Sequence, residues 1–299
     1  KEECRHGTAN TYKTMDLDIK YYFNKAKEIL GEKLHPDLIK GVRGTSNKDH
    51  LVEHLSKGIL RAKHGIYVNK EGTTRYDATE LPLTHFKPKE IRTSVEKLIE
   101  LGYEKDIHGK ELVDRDQIVE IKPQDVVLPG FDSLEDSAAN VLLNVSHFID
   151  DLLIKLYKLK PYFNAKVPED LVGELVIGLA PHISAGIVGR IIGFSDTQTL
   201  LAHPMYHAAM RRDCDGDEAC VMLLMDALLN FSRQYLPERR GAKTMDAPLV
   251  LTSTIYPSEV DDQVLDMDTA WKYPLEFYEA TLKMKKPWEV KVEQFIGRA

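Results

Sequence analysis

Residues 211–217 read Arg-Arg-Asp-Cys-Asp-Gly-Asp, and the chain passes from them straight into a long apolar stretch. Asp213, Asp215 and Asp217 alternate along this run. In an extended segment alternate side chains share one side, so the three carboxylates would converge on one small volume. Gly216 lets the backbone bend between the last two. Ionised carboxylates that close repel one another and need a counter-charge. Hard oxygen ligands of this kind suit magnesium, manganese or calcium, not zinc. The stretch from Glu218 to Tyr235 reads as a helix, apolar nearly all the way round from Val221 to Phe231. Such a helix must be buried. It would anchor the acidic loop, and its positive N-terminal end would favour the ionised acids beside it.

A solvated acidic turn and a structural calcium loop are the plainer readings. A twelve-residue EF-hand loop starting at Asp213 needs Gly at its sixth position and Glu at its twelfth. Those positions hold Glu218 and Leu224. A plain surface turn rarely leads into so apolar a segment, so a catalytic metal site is favoured.

With 299 residues and 43% hydrophobic content, the chain has material for two domains or one large one. Its 3 cysteines, Cys4, Cys214 and Cys220, form no C-x-x-C pair, so the sequence holds no complete cysteine zinc site. It opens Lys-Glu-Glu-Cys, without Met or a targeting pattern, and reads as a piece of something longer. Cys4 is then a free thiol, or the last ligand of a zinc site whose partners lie upstream. An odd cysteine count without secretory signals points to a reducing, cytoplasmic compartment. No run of about 18 uninterrupted apolar residues is present, so no membrane span is expected. The net charge of -7 argues against a nucleic-acid-coating module. An enzyme with acidic catalytic residues and a local basic groove is still allowed.

Taken in order, the chain first reads as mixed α and β. Asp16 caps a helix to about Gly31, Asp37 to Val42 suggests a short strand, and Ser46 or Asn47 opens a helix ending near Gly65. Lys40 and Arg43, flanked by glycine, are candidate phosphate contacts. Residues 66–78 suggest a hairpin turning at Asn69 to Gly72, and 117–128 suggest paired strands broken at Pro123. Ser94 caps a short helix that ends at Gly102. Ser133 opens the longest helix, to about Leu159, its apolar residues recurring at three- and four-residue steps. The domain division is placed here: 1–160 is a mixed α/β accessory region, and 161–299 is the catalytic region. Leu171 to Leu179 and Ile187 to Phe194 read as apolar strands with glycines at 173, 178, 186, 189 and 193, which mark bends or close backbone approach. This favours a closed β-barrel over a nucleotide-binding parallel sheet. Neither G-x-G-x-x-G nor a Walker loop is present, so metal and basic side chains would handle any phosphate. Arg211, Arg212, Arg239, Arg240 and Lys243 are the candidate phosphate contacts. His203 and His207, four apart without H-E-x-x-H, read as packing or phosphate-contacting residues, and His207 is kept as a candidate contact. Trp271, Tyr273, Phe277 and Tyr278 read as core or interface aromatics on a helix from Asp268 to Leu282.

Three stretches resemble one family: LIKGVRGTSNKDHLVEHLSKGILRAKHGIYV, LVIGLAPHISAGIVGRIIGF, and AHPMYHAAMRRDCDGDEACVMLLMDALLNFSRQYLPERRGAKTMDAPLVL. They resemble the catalytic region of the large subunit of the archaeal D-family DNA polymerase. The resemblance implies an internal fragment of a much longer polypeptide and an α+β fold built on a double-psi β-barrel. It implies that Asp215 and Asp217 are the catalytic acids and hold magnesium, with manganese as a substitute and zinc only in the longer protein. Position 213 departs from the pattern, since the family usually has Asn where this chain has Asp213. It is read as an extra magnesium ligand, a neutral-like positioner, or an introduced change. The activity implied is transfer of deoxynucleotides to a primer 3′-hydroxyl, with two cations about 3.5–4 Å apart. The partners implied are primer–template DNA, deoxynucleoside triphosphates, a small exonuclease subunit and a sliding clamp. Two rivals use the same acids: a metal-dependent nuclease or phosphohydrolase, and a non-catalytic scaffold holding a structural cation.

Overall fold

The computed structural model describes residues 16–33, 36, 38–39, 53–69, 71–130, 136–180, 186–231, 262–265 and 269–290. Two helices come first, α1 (Ile19–Leu30) and α2 (Leu55–Lys63). Asp18 rather than Asp16 caps α1, its carboxylate accepting from the Tyr21 N–H at 2.9 Å, and left-handed Gly31 closes it. The strands β1 (Tyr76–Pro82) and β2 (His85–Phe86) follow, then α3 (Val95–Glu100), capped by Ser94, and β3 (Val119–Glu120) and β4 (Asp125–Pro129). Helix α4 (Ala138–Asp151) starts at the Ser137 cap and passes into a π-helical stretch, Leu152–Tyr157, ended by left-handed Lys158. Next come β5 (Leu175–Leu179), β6 (Ile187–Ser195), β7 (Thr199–Ala202), α5 (Pro204–Ala209), β8 (Glu218–Leu223) and α6 (Leu224–Asn230). Two more helices close the described part, α7 (Asp262–Leu265) and α8 (Leu275–Leu282).

Six of these strands close into one barrel in the order β1-β7-β4-β6-β5-β8, with β8 returning to β1. The pairs β1–β7 and β4–β6 are parallel, and the other neighbours are antiparallel. The protein is therefore mixed α and β around a closed mixed barrel, consistent with a double-psi core. Strands β1 and β4 precede residue 160 and the other four follow it, so the expected division there runs through the sheet. Closure leaves no free edge and buries the sheet on both faces, and β8 accordingly carries five consecutive buried residues after Glu218.

The stretch expected as one helix from Glu218 is thus a barrel strand to Leu223, and only then a helix to Asn230. Strands buried on both faces lose their alternation and read as continuous apolar runs, which periodicity cannot tell from a buried helix. The turn at Asn69 to Gly72 is present, with Asn69 N–H to Thr73 O at 2.8 Å. It does not make a hairpin, because β1 pairs instead with β7 and β8. Nor do the strands around Pro123 pair with each other: β3 joins β2 and β4 enters the barrel. The candidate contacts Lys40 and Arg43 and the expected starts at Ser46 and Ser133 lie outside the described residues.

Helix α4 and the π-helical turn after it lie on the main core with Leu142, Val145, Phe148, Ile149 and Leu152 at most 1% exposed. A second core joins β2, α3 and β3 to the barrel through Val127 and Ile192. Tyr273 and Tyr278 are buried, meeting His203 and His85 edge-on at 5.4 and 5.8 Å, and Tyr273 N–H donates to Glu120 at 3.0 Å. These two tyrosines are packing residues, Tyr278 on a helix that begins only at Leu275 and Tyr273 just before it, whereas Trp271 is exposed.

Candidate functional site

The acidic loop joins α5 to β8, and both ends of it are fixed. Pro204 at the first helical position and the side chain of His203, which accepts from Met205 N–H at 3.0 Å, set the start of α5. Tyr206 seats the helix: its hydroxyl donates to Ile187 O at 3.0 Å, across β5 and β6 where they carry glycine. A Cβ at Gly178 would meet that hydroxyl at 2.5 Å, and one at Gly189 would meet it at 2.8 Å. The helix ends in a Schellman turn, with Arg211 N–H to Ala208 O at 2.9 Å and Arg212 N–H to His207 O at 3.0 Å. The turn needs a left-handed residue, and Arg211 takes that role at φ 63. On the exit side, Glu80 N–H donates to Asp217 O at 2.9 Å, which prolongs the β1–β8 ladder one residue into the loop.

Between these anchors the loop bends rather than extends. Cys214 has φ 64 and Gly216 φ 125. These two bends, not a pleat, bring the acids together. Ligand oxygens of Asp213, Asp215 and Asp217 all lie within 4.8 Å of one another, and Asp215 is exposed. Among the described residues no other group of three metal-ligating side chains gathers this way. The neighbouring Asp213 carboxylate, more than anything else, pushes the Asp215 pKa up. Arg212 supplies part of the missing positive charge, its guanidinium donating to Asp217 at 2.7 Å. Asp215 N–H lies 3.4 Å from the Asp213 carboxylate. The donor set fits a hard divalent cation: three carboxylates in one place, one of them made hard to ionise by its neighbour. The helix dipole expected beside the acids is absent, because β8 follows them.

His207, the candidate phosphate contact, lies inside the fold. It is fully buried, with Nδ1 2.9 Å from Glu80 Oε1 and Nε2 3.1 Å from Leu81 O. His203 is also buried, and burial pulls its pKa down to about 4. Both histidines build the loop from beneath. Arg211 and Arg212 stand at the loop entrance, while Arg239, Arg240, Lys243 and Cys4 lie outside the described residues. Sequence reasoning passed over Glu80. Its signal is a charged residue at a core-facing position of β1, in phase with buried Ala78.

Fold and loop define a class: a closed mixed β-barrel bearing a three-carboxylate loop able to hold a divalent metal. A family described as "DNA polymerase II large subunit DP2, catalytic domain" matches residues 31–298, and the chain belongs to that family. It is 57% identical over 279 residues to the DNA polymerase II large subunit of Archaeoglobus fulgidus, covering 93% of this chain and 24% of the relative. The large subunit of Nanoarchaeum equitans is 51% identical over 302 residues, covering 97% and 24%. That of Pyrococcus furiosus is 57% identical over 267 residues, covering 88% and 21%. The chain therefore spans about a quarter of the length of the curated relatives it matches. Among the described residues no helix is long and apolar enough to cross a membrane.

Proposed function

We propose that this chain is the catalytic part of a DNA-directed DNA polymerase, acting in archaeal DNA replication. The observation that carries the reading is the convergence of Asp213, Asp215 and Asp217 within 4.8 Å on a barrel loop, in a chain of a polymerase catalytic-domain family. Asp215 and Asp217 would hold magnesium, which manganese can replace, with Asp213 as a third ligand. A bound cation supplies Lewis-acid charge stabilisation for the attack of a primer 3′-hydroxyl on a deoxynucleoside triphosphate. Arg212 holds Asp217 in place through its 2.7 Å ion pair. Arg211 and Arg212, at the entrance, are placed to offset phosphate charge, and we assign Arg239, Arg240 and Lys243 to the DNA backbone.

The catalytic unit in this reading is the barrel with strands from both sides of residue 160, and the remaining helices are accessory. Its substrates are primer–template DNA and deoxynucleoside triphosphates. Its partners are a small exonuclease subunit and a sliding clamp, its compartment is the cytoplasm, and any zinc belongs to the longer polypeptide.

The test uses the full-length large subunit carrying this sequence, assembled with its partner. Asp215→Asn should bring primer extension below detection while the primer–template Kd is retained. Extension at a near-normal rate would remove these acids from the chemistry. Labelled primer–template incubated with and without triphosphates separates synthesis from the degradation a nuclease would give.

A further inference from the structure

Beneath the acidic loop, Glu80 and His207 form an ion-pair contact with both side chains wholly buried. Glu80 projects inward from β1, at a position where a barrel strand ordinarily places an apolar side chain. One of its carboxylate oxygens meets His207, and among the described residues the other is buried without a hydrogen-bond partner. A buried polar pair of this kind is often no more stabilising than an apolar pair of the same volume. Packing alone therefore does not explain these two residues.

Their neighbours do. β1 holds Asp217 through the Glu80 N–H, and α5 holds Arg212 through the His207 carbonyl. The Glu80–His207 contact is the side-chain link between those two elements, reinforced by His207 Nε2 on Leu81 O at 3.1 Å. The ring closes above it, where Arg212 meets Asp217 at 2.7 Å. We propose that Glu80 and His207 are positioning residues for the metal-holding loop: their contact sets how far Arg212 stands from Asp217 and so how open the carboxylate cluster is to a cation. The inference rests on the polymerase reading and adds to it two residues that touch neither metal nor substrate.

The decisive variant is the double substitution Glu80→Met with His207→Leu in the full-length large subunit. It exchanges the pair for apolar side chains of similar volume, so the fold and its Tm are expected to survive. Three readouts are taken: Mn2+ affinity by electron paramagnetic resonance without nucleotide, kcat and KM in primer extension, and the primer–template Kd. Loss of residues that orient metal ligands typically costs about 10–100-fold in affinity or activity. Weaker Mn2+ binding and lower kcat by such factors are expected, with KM and the primer–template Kd little changed. Leu98→Ala, which opens the separate core around β2, α3 and β3, should lower Tm and leave Mn2+ affinity alone. Unchanged Mn2+ affinity and kcat in the double variant would overturn the proposal. If the double variant does not fold, Glu80→Met alone carries the same test, because it removes the contact and leaves His207 Nε2 its bond to Leu81 O. Mn2+ affinity must then fall measurably with Tm held, and an unaltered affinity overturns the idea. Asp215→Asn run alongside separates the failures. If Asp215→Asn still extends primers, the polymerase reading fails. If only the Glu80 and His207 variants behave as wild type, this inference alone fails.

Discussion

Arg211 holds a backbone conformation that its side chain makes costly. A non-glycine residue in the left-handed region is disfavoured by roughly 1–2 kcal/mol, and the turn that closes α5 would accept glycine at this position without penalty. Arg211→Gly is therefore expected to stabilise the protein by about 1 kcal/mol. If Arg211 contacts phosphate, the same change weakens primer–template binding for every sequence and lowers the salt slope by about one. Melting together with a salt titration of the Kd checks both halves. A stabilised variant with an unchanged salt slope would remove Arg211 from the DNA contacts. At this scale the three acids were legible in the sequence because their spacing and chemistry are local. Glu80 was not, since its partner His207 lies 127 positions away in the chain and only barrel closure joins them. The bends at Cys214 and Gly216 were half legible: glycine announces one, and nothing about a cysteine announces the other.

For the elements, the sequence showed where apolar segments lie more clearly than what they form. α1, α3 and α4 carry capping side chains at Asp18, Ser94 and Ser137, and their helical spacing is visible. β8 carries no such mark, since all its residues after Glu218 are buried and its identity depends on β1 and β5 on either side. The glycines of β5 and β6 were legible as sites of close approach, though not for whom. They admit Tyr206 and so set the height of α5 beneath the loop. Gly178→Ala forces the Tyr206 ring away or spreads the strands, and overpacking of this kind costs about 1–3 kcal/mol. Urea unfolding should show that loss, and primer extension should fall with it because α5 leads directly into the acids. Unaltered stability would mean that Tyr206 does not fill the space between these strands.

Across the whole molecule, α1, α2 and α4 are tied by a charge cluster at their ends. Lys63 bridges Glu32 at 2.8 Å and Asp151 at 2.7 Å, and His64 meets Asp151 at 2.8 Å. Lys155 also pairs with both acids. Burial opposes ionisation of Asp151, but hydrogen bonds from Lys63, His64 and Lys155 outweigh it and draw its pKa down to about 2 from 3.8. A carboxylate whose folded pKa lies below its unfolded value stabilises the fold above the unfolded pKa. That contribution is lost as the pH falls from 3.8 through about 2. With solvent screening of a partly exposed group it amounts to about 1 kcal/mol. Thermal melts over that acid range should show Asp151→Asn losing less stability than the parent chain. Parallel acid curves for the two would mean the cluster does not hold the helices together. The division at residue 160 rests on a strong helix signal followed by proline, whereas the strand partnership that crosses that position has no local signature.

That partnership has a consequence for how the protein is made. β1 leaves the ribosome well before either of its neighbours, β7 and β8, which both lie beyond residue 198. Until they emerge, the nascent chain carries an open seam with unsatisfied strand edges, the condition under which growing polypeptides pair with the wrong neighbour. Emergence of Leu223 from the ribosome is thus the earliest moment at which the last stave can be fitted.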